Sequence, residues 1–267
     1  MAEELTDLAL ARRVAARAGQ LLLEHRTSFG PVDPDDKARL KELRDSADRL
    51  SHDYIAAELH GARPSDIVLS EEGQDDEARL TAERVWIVDP LDGTWEYGQG
   101  RADFGVHVAL WHAPADGQPG RLSATVLDMP AVDIVRTSGD PDAALPPLPA
   151  DRPLRIVASR TRPPAGMDAI VERWRAAAGR MVEVVNVGSV GAKVEEILAG
   201  RAEAYLHDTG FREWDLAAPM GVAQQYGLVV EHWDGAAITL NRMPPWVPNV
   251  LVVRPDLADS LRRAVRG

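Results

Sequence analysis

Cysteine is absent from the 267 residues. The chain therefore has no disulfide framework, no zinc–thiolate site, no iron–sulfur cluster and no thiol nucleophile. Basic side chains are outnumbered, 30 against 42 acidic, and the formal charge of −12 repels a phosphate backbone and disfavours nucleic-acid polymers as partners. An anionic ligand then needs local cancellation of charge. No apolar run approaches a membrane span. The start Met1-Ala2-Glu3-Glu4 is acidic where a secretory leader carries basic residues before an apolar stretch. A cytoplasmic protein without a membrane partner is expected. G-x-S-x-G, Walker A, G-x-G-x-x-G and H-E-x-x-H patterns are all missing, which argues against a serine hydrolase, a P-loop NTPase, a dinucleotide enzyme and a histidine-ligated zinc site.

What is present is a 45% hydrophobic fraction, enough for a sizeable core. Leu8, Ala11, Ala15, Ala18 and Leu22 recur at spacings of three and four, which predicts a helix over residues 4–26. A second helix is expected from near Ser46, through Ala47, Leu50, Tyr54 and Ala57, to the Gly61–Pro64 region. Short β-prone runs follow at 67–69, 85–88, 105–111, 123–127 and 134–135, and as close neighbours they predict an antiparallel sheet. Residues 138–153 hold five prolines and read as a crossing between two subdomains, 1–150 and 151–267. Beyond it strands at 154–158, 182–187, 202–207, 228–231 and 250–253 alternate with helices at 166–178, 189–199 and 215–226, an α/β half with some parallel pairing.

The chemistry concentrates between residues 71 and 96, where nine acids face only Arg79 and Arg84. Asp75, Asp76, Glu77 and Glu83 read as a solvated acidic loop. Asp89 and Asp92 differ, because the apolar run Val85-Trp86-Ile87-Val88 ends directly in Asp89-Pro90-Leu91-Asp92-Gly93-Thr94. Pro90 fixes φ and Gly93 permits tight curvature, so both carboxylates can turn toward one point. Converging hard oxygens suit Mg²⁺ at about 2.1 Å per ligand, and the Leu91 carbonyl can add another. Glu71 and Glu72 end a neighbouring strand; they read either as a charged strand terminus or as part of that group. Asp215 precedes a helical run and reads alone as an N-cap, a geometry that also aims a carboxylate outward.

The pair Glu71-Glu72, the hexapeptide 89–94 and Trp214-Asp215-Leu216-Ala217-Ala218-Pro219, in that order, resemble the inositol monophosphatase-like superfamily of magnesium-dependent, lithium-sensitive phosphatases. The likeness spans almost the whole chain. It implies an α/β fold of the α+β kind, a layered α-β-α-β-α sandwich whose first half carries an antiparallel sheet. Asp92-Gly93-Thr94-Trp95-Glu96-Tyr97, Ser159-Arg160-Thr161-Arg162 and Ser189-Val190-Gly191-Ala192-Lys193 are similar to the CysQ-type branch, the adenosine 3',5'-bisphosphate phosphatases of sulfate assimilation. Trp95 stands where that branch has Lys, Arg162 where it has His, and Pro219 where Gly is frequent. Asp45 replaces a Thr near Asp48.

The resemblance implies that Glu71, Asp89, the Leu91 carbonyl, Asp92 and Asp215 hold two or three Mg²⁺ ions. Thr94 then positions the attacking water, Glu71 orients it and Asp48 takes or relays the proton; read alone, Asp48 is an acid favourable to a helix's first turn. Gly93 and Thr94 meet the reacting phosphate. Lys193 and either Arg160 or Arg162, with Ser159, Ser189 and Asp215 nearby, contact the rest of a small nucleotide bisphosphate. Inositol monophosphate and fructose 1,6-bisphosphate stay open as substrates of the same chemistry. A catalytically idle metal- or nucleotide-binding regulator is the alternative of a different class. A homodimer is compatible with either.

Overall fold

The computed structural model describes residues 5–141 and 143–267. The acidic start, and with it residue 4 of the first expected helix, lies outside them. Two long helices open the chain, α1 (Asp7–Phe29) and α2 (Lys37–Ala62). The first sheet runs β1 (Ile67–Ser70), β2 (Arg84–Asp92), β3 (Gly105–His112), β4 (Arg121–Met129) and β5 (Ile134–Thr137), in that spatial order, with the short helix α3 (Thr94–Gly98) between β2 and β3. The second half contains β6 (Leu154–Ser159), α4 (Met167–Ala178), β7 (Val182–Val187), α5 (Val190–Leu198), β8 (Ala204–His207), β9 (Phe211–Arg212), α6 (Glu213–Gln225), β10 (Val229–Glu231), β11 (Trp246–Val247), β12 (Val250–Val253) and α7 (Ala258–Arg266). Its main sheet has the order β10-β12-β8-β6-β7, while β9 and β11 form a separate pair. Among the described residues no helix is long and apolar enough to cross a membrane.

Alternation along the strands produces the layers. On β2, Trp86 and Val88 pack with Leu10, Val14, Ala18 and Ile55 of α1 and α2. Val85 and Ile87 point the other way, onto Val194 and Ile197 of α5 and Leu216 and Ala217 of α6. Tyr205 and Val252 of the second sheet join that same central cluster from beyond the helices. The outer face of the second sheet buries Ile156 and Leu206 against Trp174 of α4 and Leu261 of α7. The order is therefore α1/α2, sheet, α5/α6, sheet, α4/α7: the α-β-α-β-α sandwich. Each sheet is covered on both faces, which removes its apolar surface from water.

Three expectations need correction. The first sheet is mixed, because β1 runs parallel to β2, Ser70 lying beside Val88; the remaining pairs are antiparallel. Helix α2 begins at Lys37, nine residues before Ser46. Asp36 caps it by accepting the Arg39 N–H at 2.9 Å, and the buried Leu40 and Leu43 extend its apolar stripe toward Ala47. Helix α6 begins at Glu213, which makes Asp215 its third residue instead of its N-cap.

Candidate active site

The apolar strand β2 remains buried through Asp89, Leu91 and Asp92. Asp89 Oδ1 accepts the Leu91 N–H at 3.0 Å, and the Thr94 hydroxyl donates to the Leu91 carbonyl at 3.1 Å, so the loop is closed on itself. Gly93 has φ +89°. A Cβ there would lie 2.9 Å from Ser189 Cβ and 3.1 Å from the Asp103 carbonyl, which leaves glycine as the residue that fits both the turn and the space. Parallel pairing with β2 brings β1 to the same end, and the chain leaves it at Glu71. Asp215 arrives on α6, its Oδ2 accepting the Arg212 N–H at 2.6 Å. One oxygen each from Asp89, Asp92 and Asp215 lies within 4.8 Å of the others.

Bringing these groups together has an electrostatic cost. Burial and then the charges of Glu71, Asp92 and Asp215 raise Asp89 well above the usual carboxylate range. Asp215 is pushed up by burial, Asp92 and Glu71. Glu71 is exposed as a residue, yet desolvation and the charges of Glu72 and Asp92 raise it as well. Asp48, buried on α2, is raised to about 8 by burial and by Glu71, Glu72 and Asp45. Its Oδ1 has no hydrogen-bond partner, and no direct hydrogen bond joins it to Thr94 among the described residues. Asp92 alone is lowered: burial opposes its charge, but His107, the Gly191 N–H and Lys193 outweigh it. Closely packed hard oxygens that repel one another in this way fit a divalent cation such as Mg²⁺, which relieves the repulsion.

Cationic side chains share with the carboxylates a cavity of about 200 Å³ lined by Asp92, Thr94, Trp95, Arg162, Lys193 and Asp215. Lys193 is buried, and its Nζ donates to the Gly188 and Ser189 carbonyls; burial lowers it to about 8 despite Asp92, Glu96 and Asp215. Arg160 is committed elsewhere, donating to Glu96 at 2.7 Å and to Asp103 at 2.9 Å. Of the two arginine alternatives, Arg162 is the one exposed beside the cavity. Ser159 accepts the Arg162 N–H at 3.2 Å, and Ser189 caps α5 through the Ala192 N–H at 3.0 Å. Both hydroxyls line the cavity while serving their own loops.

The groups that surround Asp92 are not expected from the sequence. The Val190 and Gly191 N–H groups reach Oδ1 and Oδ2 at 3.1 and 2.7 Å, and His107 Nε2 lies 3.1 Å from Oδ2. The pairing register of β2 and β3, which sets His107 beside Asp89, is the signal that finds it. Alternation along residues 105–111 specifies its face but not its partner.

Residues 3–134 match the model of the inositol monophosphatase family. The chain is 40% identical to a 3'-phosphoadenosine 5'-phosphate phosphatase of Mycobacterium leprae, aligned over 98% of this chain and 94% of that protein. A Mycobacterium tuberculosis protein of the same name is 38% identical, over 93% of this chain and 89% of that one. CysQ from Bacteroides thetaiotaomicron, described as a bacterial member of the inositol monophosphatase family, superposes with a TM-score of 0.72 at 25% identity, covering 91% of this chain and 95% of that one. Near-complete alignment with such relatives, on top of a shared fold, leaves one assignment: this chain belongs to the inositol monophosphatase family.

Proposed function

We propose that the protein is a Mg²⁺-dependent, lithium-sensitive phosphoric monoester hydrolase that removes the 3'-phosphate of adenosine 3',5'-bisphosphate to give AMP. By the same chemistry it would convert the 5'-phosphosulfate relative to adenosine 5'-phosphosulfate in sulfate assimilation. The observation that carries this reading is one cavity lined both by the carboxylates Asp92 and Asp215 and by the cations Arg162 and Lys193. The carboxylates would hold cations for the phosphate that leaves. The cationic side chains would hold a second anionic group that stays. The mycobacterial relatives named for this nucleotide support the same substrate.

Glu71, Asp89, the Leu91 carbonyl, Asp92 and Asp215 would hold magnesium ions, whose positive charge would let a nucleophile approach a phosphate dianion and would stabilise the displaced oxygen. The Thr94 hydroxyl donates its hydrogen bond to the Leu91 carbonyl, so its oxygen lone pairs are free to accept from a water and aim it at phosphorus. Glu71 orients the same water. Asp48, with its unpartnered Oδ1, takes the proton that the water gives up as its oxygen bonds to phosphorus. The 3'-oxygen leaves and is protonated by solvent. Gly93 and Thr94 present the turn that meets the reacting phosphate, and Arg162 with Lys193 holds the 5'-phosphate through charge-assisted contacts. Arg160 positions Glu96 and Asp103 instead of touching substrate.

The test is phosphate release from adenosine 3',5'-bisphosphate, inositol 1-phosphate and fructose 1,6-bisphosphate, each with Mg²⁺ or EDTA and with LiCl against matched KCl. Li⁺ is close to Mg²⁺ in size with half its charge, so it fills an oxygen site without the same stabilisation. Mg²⁺-dependent, lithium-inhibited release that is fastest from the nucleotide is expected. Nucleotide binding without turnover, the behaviour of a regulator, contradicts the proposal, as does a preference for inositol phosphate.

A further inference from the structure

The tryptophans differ sharply in surroundings. Trp86 and Trp174 are fully buried, and their Nε1–H groups donate to Asp66 and Ser260. Trp233 donates to the Val250 carbonyl. Trp95 is 42% exposed. Among the described residues its indole has neither a hydrogen-bond partner nor a ring or cation stacked on it. The rest of its short helix is anchored, with Glu96, Tyr97 and Gly98 buried, so the indole is held out beside Thr94 on the cavity wall. An exposed indole forgoes the burial that normally draws large apolar side chains inward. A ligand that covers it recovers that term.

We propose that Trp95 is the face on which the base of a nucleoside 3',5'-bisphosphate stacks, and that it sets the preference for nucleotides over inositol and sugar phosphates. This rests on the nucleotidase reading above. Such a substrate has a phosphate to lose, a second phosphate and a flat base. The cavity lining includes a group suited to each: the Asp92–Thr94 turn, Arg162 with Lys193, and Trp95. Polyol phosphates have no π-face and gain nothing from an indole. A base of any identity does, since stacking reads the ring face instead of the hydrogen-bonding edge.

Trp95→Leu removes the ring but keeps an apolar side chain, whereas Trp95→Phe keeps a ring. With adenosine 3',5'-bisphosphate, Trp95→Leu is expected to raise KM about 10-fold while kcat changes by less than about twofold, and Trp95→Phe to stay near wild type. Inhibition by AMP should weaken in parallel. Inhibition by inorganic phosphate, which has no base, should not change. An unaltered KM in Trp95→Leu, or phosphate inhibition weakened as much as AMP inhibition, overturns the stacking role and leaves the nucleotidase reading standing. A wild-type protein that hydrolyses no nucleoside bisphosphate overturns both, and does so before any variant is compared.

Discussion

His107 Nε2 lies 3.1 Å from Asp92 Oδ2 in the fully buried centre of the molecule, close to the carboxylate but off the line of a good hydrogen bond. The α5 N–H groups engage both oxygens of the same carboxylate, so Asp92 is oriented before any cation arrives. Partners of this kind strengthen metal binding by fixing the ligand's rotamer. His107→Leu should weaken Mg²⁺ binding by roughly 10–100-fold in titration calorimetry, and His107→Gln, which keeps a donor, should restore most of it. Equal losses in the two variants would mean that only volume matters at this position.

Thr94→Ala should lower kcat by about 100-fold or more while Mg²⁺ affinity and the unfolding midpoint stay near wild type, because the hydroxyl acts on water in the transition state. Steady-state kinetics decide it. A change confined to KM would remove Thr94 from the mechanism.

Arg160 and Arg162 should separate cleanly. Arg160→Ala leaves the largely buried Glu96 and Asp103 without their shared guanidinium and should lower the unfolding midpoint by several degrees, a loss of about 1–3 kcal/mol. Arg162→Ala, at an exposed position, should leave the midpoint alone and raise KM for the bisphosphate about 10–100-fold. The reverse pattern would exchange their roles.

Asp128 offers a pH test away from the carboxylate cluster. Gly19 of α1 passes so close that a Cβ there would lie 2.6 Å from Asp128 Oδ2, and burial, with Asp133 nearby, raises the acid to about 7. A carboxyl whose pKa is higher folded than unfolded stabilises the native state at low pH and loses that contribution as pH climbs from about 4 toward 7. Asp128→Asn should therefore stabilise the protein at pH 8, by roughly 1–4 kcal/mol, and give no gain near pH 4. Urea unfolding at the two pH values checks this; a gain independent of pH would contradict it.

Asp89 and Asp92 are legible in the sequence because an apolar run ends on them, and the continuous burial of β2 is written in that run without knowledge of its neighbours. The layer order comes with the resemblance, and the burial of Val85 in the α5/α6 cluster and of Trp86 in the α1/α2 cluster explains it physically. The direction of β1 is not legible, since a loop from 71 to 83 can return the chain to either end of a neighbouring strand. The first turns of α2 are obscured by Asp33, Asp35 and Asp36, which look like a polar linker until Asp36 is seen capping the Arg39 N–H. The α5 N–H groups meet Asp92 only through tertiary packing across about 100 residues of chain, and His107 meets it through the β2–β3 pairing register, which no pattern within one strand announces. Arg160 and Arg162 are indistinguishable in sequence, because their difference lies in whether Glu96 and Asp103 stand within reach.

The central claim is that Asp92 belongs to a cation site on which hydrolysis depends. Its most direct measurement pairs phosphate release from adenosine 3',5'-bisphosphate with Mg²⁺ titration calorimetry, on wild type and Asp92→Asn. A neutral amide oxygen is a poorer hard ligand than a carboxylate. Wild type should bind Mg²⁺ and turn over, and EDTA should abolish both. Asp92→Asn should lose turnover and bind Mg²⁺ more weakly, with its circular dichroism spectrum unchanged. Near-normal kcat in Asp92→Asn, or wild-type turnover that survives EDTA, would contradict the account.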